Sequence, residues 1–346
     1  MSDPTEASPL YPVRPEWLAR YDEDVLDPHV PVVDPHHHLW IRAGEPYLLP
    51  EFAHDLASGH DVVATVFVEC HSQYFPEGPE HLRPVGETVF AAQVADQAAG
   101  EGGGRRICAG IVGHVDLMLG DGAKAVLEAH VEAGRGSFRG IRQIAVWHED
   151  DRVKGTLSKP LPHLLLDPTF REGFAALAPL NLSYDAWALH TQLAELADLA
   201  RAFPDTTIVM NHAGGAIGVG PYASRHEDAF VEWSAGIRAL AALPNVHAKL
   251  GGFGMRLWGF DFADRPEPPT SSELAERWKP YVEYCIEAFG PERCMFETNF
   301  PVDNGVTTYK ILWNAFKRLA APYSDDERAA LLRRAAANVY RLGDVG

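Results

Sequence analysis

The chain is short of positive charge: 30 lysines and arginines stand against 48 aspartates and glutamates, a formal net charge of −18 over 346 residues. A surface of that sign does not displace the counterions of nucleic acid or dock on an anionic membrane by general attraction, so neither is an expected partner. An anionic small-molecule substrate would need a local clamp of arginine or lysine. Long apolar runs are also missing. No stretch reaches the roughly 18 consecutive apolar residues of a membrane span, and the opening MSDPTEASPLYPVRPEW lacks the apolar segment of a signal peptide. The expectation is a soluble, cytoplasmic protein. Cysteine is scarce, with Cys70, Cys108, Cys285 and Cys294 containing no C-x-x-C pair and each lying within an apolar run. This pattern reads as buried thiols in a reducing compartment, with no structural disulfide.

What is present is enough apolar residue for a sizeable core, 46% of the chain, arranged in an alternating pattern. Residues 1–30 are rich in Pro, Asp and Glu without a clear period and read as an arm packed on the surface of the remaining chain. From Pro31 onward short apolar runs recur: PVVDPH, then residues 61–70, 105–113, 137–147, 180–187, 206–212, 245–252 and 293–300. Segments of helical spacing separate them, such as TQLAELADLARAF and SSELAERWKPYVEYCIEAFG, and the chain closes on a helix capped by Ser324. Eight strands with helices between them, in one unbroken pattern, predict a single (β/α)8 barrel over 31–346 with a C-terminal helix.

Within that barrel, polar residues near strand ends mark the catalytic mouth. PVVDPHHHLW ends its strand in three histidines. Simple alternation puts His36 and His38 on one side with Asp34, and His37 on the other. Two imidazoles on one side form a plausible half of a metal site, with Asp34 orienting them from beneath. Alternation also places Thr65, Glu69, His71 and Gln73 on the inner face of the second strand, and His247 and Lys249 on that of the seventh. Further ends supply His212, followed by glycines, and Glu297, Asn299 and Asp303.

The motifs DPHHHLW, GIRQ, SYDAW with HTQLAEL, VMNHAGG, NVHAKLGG and MFETNFPVD together resemble the amidohydrolase superfamily. Specifically, they resemble the amidohydrolase 2 family, whose members include pyrone-dicarboxylate and sugar-acid lactonases. The resemblance spans about Pro31 to Leu342. It implies a site lined by His36, His38 and His212, and three imidazoles are an adequate set to hold one divalent ion, zinc, between them. The family pattern has an Asp at the end of the eighth strand as acid/base and ligand, where this chain has Asn299. An amide has no useful pKa for proton transfer and is a weaker ligand, so catalysis without metal is the alternative.

His212 is the expected general base, with Asn299, Asp303 and Glu69 as further catalytic candidates. Glu69 reads equally as a buried partner of Arg142 or Lys249. Arg142 and Lys249 are candidates for binding a substrate carboxylate or an oxyanion, and Tyr184, Trp187 and His190 for lining the pocket. The expected activity is hydrolysis of a small cyclic or activated ester, a lactone above all. Metal-dependent decarboxylation of an aromatic or unsaturated acid is the alternative, and an inactive binding protein a third reading. The expected partner is a small-molecule substrate, with assembly into a homo-oligomer left open.

Overall fold

The computed structural model describes residues 8–100, 104–153, 155–158 and 160–345. Eight parallel strands form one sheet in sequential order: β1 (Pro31–His37), β2 (Asp61–Val68), β3 (Arg106–Gly113), β4 (Phe138–Arg142), β5 (Ser183–Ala186), β6 (Ile208–Met210), β7 (Val246–Gly251) and β8 (Cys294–Glu297). β8 returns to β1, where Asn299 N donates to His36 O at 2.9 Å and His38 N to Phe300 O at 2.7 Å. These bonds close the sheet into a (β/α)8 barrel. Helices cover its outside, for example Leu193–Ala202 between β5 and β6 and Ser271–Phe289 between β7 and β8. The second of these starts at the Thr270 and Glu273 capping box. Several strands are shorter than the apolar runs that announced them: β4 ends at Arg142, beyond which the run to Trp147 leaves the sheet, with Ile144 in the cleft wall.

The barrel floor is filled by the end of the chain. Ala335, Ala336, Val339, Tyr340 and Leu342 form one buried cluster with Val33, Ala64, Val66, Val112, Val209 and Met295 of the strands. This cluster corrects the strand parity expected from simple alternation. The inner residues of β2 are Ala64, Val66 and Val68, whereas Thr65 faces outward, with its hydroxyl 2.9 Å from His37 Nε2 and accepting from Cys108 N at 3.0 Å. An extra residue in β1 between Asp34 and His37 breaks the alternation there, whereas β2 alternates regularly from Ala64 to Val68 with its even-numbered residues inward, the opposite phase to the one expected. Asp34 accordingly does not share a side with the histidines. Its carboxylate accepts from the backbone N of His36 and from Thr298 and Tyr309, tying β1 to β8 and to the outer helix.

The arm contributes Trp17, whose indole N–H donates to the Arg265 and Pro266 carbonyls, and Arg14, which donates to Ala263 O. It thus packs along the loop after β7. All four cysteines are buried and unpaired. Among the described residues no helix is long and apolar enough to cross a membrane.

Candidate active site

The mouth is built around a buried carboxylate. Glu297, the last residue of β8, has no exposed surface and stands between two imidazoles. Its Oε1 lies 2.8 Å from His212 Nδ1 and also accepts from the His212 backbone N at 2.9 Å, while Oε2 lies 2.5 Å from His36 Nδ1. Burial raises the Glu297 carboxyl, but His212 and His36 against it pull it well below the usual range. Burial also pushes His36 well below the ordinary histidine value and lowers His212. The consistent state is an ionised Glu297 that accepts from His212 Nδ1 and lies in close ion-pair contact with His36 Nδ1, both rings being neutral with the proton on Nδ1. His212 sits at positive φ, 52°, shortly after β6. Behind its ring stands Gly252, where a Cβ would come within 2.4 Å of Nδ1. The glycine therefore lets the ring seat against the end of β7, which leaves Nε2 as the nitrogen available to the cleft.

Arg142 ends β4 and is held from three sides. Its Nε donates to Glu69 Oε1 at 2.6 Å, Nη2 to Glu69 O at 2.5 Å, and Nη1 lies 3.1 Å from His36 Nε2. A guanidinium only donates, so His36 Nε2 must accept, in agreement with its proton lying on Nδ1. Three of the five N–H groups are engaged in this way, and the side chain lines the cleft with the rest. Glu69 itself is fully buried, and Arg142 offsets burial to keep its carboxyl below the usual value.

The cleft above these groups has a volume of about 310 Å³, enough for a small molecule. His38, Trp40, Arg42, Arg142, Trp187 and His212 line it, with Leu10 of the arm and residues 155–158 at its edge. His38 Nδ1 bonds to Val68 O at 2.8 Å and its ring stacks on Trp40. The Arg42 guanidinium also lies over the Trp40 ring, 3.6 Å from its centroid. Trp187 meets the His212 ring edge-on and donates to Gly155 O.

Several residues expected in the pocket stand away from it. Lys249 is fully buried beneath His36, ion-paired to Asp185 at 2.7 Å, with Asp185 also accepting from Tyr340. It supports the barrel interior and does not line the cleft. Tyr184 turns outward from β5, packs on Phe170 and Phe174 and donates to Gln143 O. His190 accepts from Ile217 N and lies against Tyr222 and Glu232, away from the cleft lining. Glu69 reaches the site only through Arg142 and His71. His37 is stacked on Phe52 outside the barrel. Sequence reasoning passed over Trp40 and Arg42. Both lie just beyond the triple histidine, and an aromatic and a cation next to a strand-end motif were the available signal.

Asn299 lines the cleft at positive φ, 55°, and its Nδ2 donates to Asp303 Oδ1 at 2.9 Å. Asp303 is buried, accepts also from Gly254 N, and is raised by burial to about 7. It anchors Asn299 and does not face the cleft. Replacing Asn299 by Asp removes that donor and sets two carboxyls against each other, which can share only one proton. Both then have folded-state pKa values above their unfolded value of about 3.9, so the variant is least impaired below pH 4 and loses stability as pH rises. Asn299→Asp is expected to cost roughly 1–3 kcal/mol at pH 8, read from chemical denaturation at pH 5 and pH 8.

Among the described residues two groups of side chains come close enough to share an ion: His36, His212 and Glu297, and separately Glu69, His71 and His114. The trio His36, His38 and His212 does not fit a divalent metal as it stands. The His36 Nε2 lone pair faces the Arg142 guanidinium, its Nδ1 proton faces Glu297 with the Lys249 ammonium 3.5 Å away, and the eighth-strand ligand is an amide. A further cation there would meet two fixed positive charges with only His38 and His212 free to bind it.

The family model for amidohydrolases matches residues 33–342. An uncharacterized protein of Sinorhizobium fredii is 32% identical over 90% of this chain and 99% of its own length. An L-fucono-1,5-lactonase of Burkholderia multivorans is 28% identical over 90% of this chain and 96% of its own. The crystal structure of an amidohydrolase from Burkholderia multivorans with bound zinc superposes at a TM-score of 0.67 and 26% identity, covering 91% of this chain and 100% of that one. With the family model running from the first barrel strand to the C-terminal helix and the same barrel recurring in that structure, the chain belongs to the amidohydrolase family and is an enzyme of that type.

Proposed function

We propose that this enzyme hydrolyses a small lactone, or an ester comparably activated, with His212 as general base. The observation that carries the reading is the Glu297–His212 pair. A neutral imidazole fixed through Nδ1 and open at Nε2 is suited to take a proton from water held against a carbonyl. Glu297 then stabilises the imidazolium that forms, and Arg142 offers its remaining N–H groups to the oxyanion or to a substrate carboxylate. Collapse of the tetrahedral intermediate breaks the ring C–O bond, and the proton held on His212 Nε2 passes to the departing oxygen.

Ester chemistry is favoured over amide chemistry because, among the described residues, no carboxyl lines the cleft: Glu69, Glu297 and Asp303 are all buried behind it. His212 is then the single proton carrier in this mechanism, and a departing enolate or stabilised alkoxide depends less on its proton than an amine does. Trp40 and Trp187 offer flat walls for a ring. The lactonase relatives support the same substrate class. Metal-dependent decarboxylation at the histidine trio is disfavoured, because a cation there would be opposed by Arg142.

The pH dependence tests the base. Burial lowers His212 despite Glu297, so it stays neutral below the ordinary histidine pKa of about 6.5. The kcat/KM on a responsive lactone is expected to be flat through pH 7 and to fall only as the pH drops through a value below about 6.5. A profile that is still rising steeply between about pH 7 and 9 would remove His212 from that role.

A further inference from the structure

At the rim of the cleft, on a side the proposed hydrolysis does not use, Glu69, His71 and His114 bring one carboxylate and two imidazoles together, with ligand atoms all within 4.8 Å of one another. The three come from the ends of β2 and β3. Glu69 divides its oxygens: Oε1 takes the Arg142 bond, while Oε2 is buried without any hydrogen-bond partner. A fully buried carboxylate oxygen left unpartnered is costly unless something else occupies its lone pairs. The His71 Nε2 atom stands 3.4 Å from it. Two ligands on one tetrahedral zinc, with bonds of about 2.0–2.1 Å, stand about 3.3 Å apart, so this pair is already at coordination spacing. His71 holds positive φ, 59°, which aims a half-exposed ring back toward Glu69. His114 completes the set. Its Nδ1 lies 3.2 Å from the Arg142 carbonyl, which only accepts, so the proton is on Nδ1 and the Nε2 lone pair is free. An imidazole that donates one nitrogen to a backbone carbonyl and presents the other is the usual outer arrangement of a metal ligand.

We propose that Glu69, His71 and His114 bind one divalent transition metal of the zinc class, at the cleft rim and apart from the His36, His38 and His212 trio. Two neutral imidazoles and one carboxylate suit zinc, cobalt and nickel better than the oxygen-seeking magnesium or calcium. The bound charge stabilises the Glu69 carboxylate from the side opposite Arg142. Both His71 and Arg142 line the cleft, so the ion stands at its wall.

The test is metal binding by the whole protein after chelator treatment and exchange into metal-free buffer. Zn2+ is titrated by calorimetry, Co2+ by its visible absorption, and retained metal is measured after gel filtration. Wild type and His38→Ala are expected to bind one equivalent with equal affinity. His114→Ala is expected to bind at least about 100-fold more weakly and to lose the tetrahedral cobalt bands. His71→Ala, whose side chain is half-exposed, repeats the measurement should His114→Ala unfold. The proposal is overturned if wild type retains no metal at millimolar free zinc. It is equally overturned if His38→Ala abolishes binding while His71→Ala and His114→Ala leave it unchanged.

Discussion

His212→Ala is expected to lower kcat roughly 10²–10⁴-fold on any substrate the enzyme turns over, with little change in KM and no loss of fold. The imidazole supplies proton transfer in the transition state and makes few ground-state contacts that a small side chain would forfeit, so the loss belongs in kcat. The substitution removes one ring donor from Glu297 Oε1, which keeps the backbone N–H at position 212, and His36 remains against Oε2, so the buried carboxylate keeps its partners. Glu297→Gln separates the two functions of the pair. It leaves the imidazole in place but removes the charge that stabilises the imidazolium, so the expected loss is intermediate and the pH profile shifts. Steady-state kinetics of both variants, with circular dichroism to confirm folding, check this order. Equal activity in wild type and His212→Ala would place the base elsewhere.

The second large effect concerns Arg142, where stability and activity diverge. Its partner Glu69 is fully buried, and removing the guanidinium strands that charge in a low-dielectric interior. Arg142→Ala is expected to cost roughly 3–5 kcal/mol in chemical denaturation and to abolish activity. A matched double substitution, Arg142→Met with Glu69→Leu, removes both charges at similar volume. It is expected to recover most of the stability and none of the activity. Recovery of both would make the pair purely structural, and recovery of neither would show that His36 Nε2 depends on Arg142 for the geometry of the whole mouth.

The parts of this molecule that were legible in its sequence were those set by local periodicity. Apolar runs separated by amphipathic segments pointed to the barrel, and Thr270 and Ser324 marked helix starts because capping is a local interaction. Strand ends were also readable, so His36, His38, His212 and Asn299 could be placed at one mouth. Orientation within a strand was less so. The irregularity at Pro35 turned Asp34 away from its expected face, and such a bulge depends on pairing with a neighbouring strand that no local pattern reports; β2 kept its alternation but in the opposite phase, with Thr65 outward. Lys249 faced inward as alternation required, yet it meets Asp185 and Tyr340 below the cleft, because depth along the barrel axis depends on strand stagger. Glu297 was visible at its strand end, but its place between two Nδ1 atoms needed the relative position of β1, β6 and β8.

The most direct test of the hydrolytic account is turnover of a panel of five- and six-membered lactones in 18O-labelled water, with product analysis by mass spectrometry. The account predicts ring opening to the hydroxy acid, one 18O atom in the new carboxyl group, no release of carbon dioxide, and loss of the reaction in His212→Ala. Release of carbon dioxide, or label appearing in the alcohol in place of the carboxyl group, would contradict it.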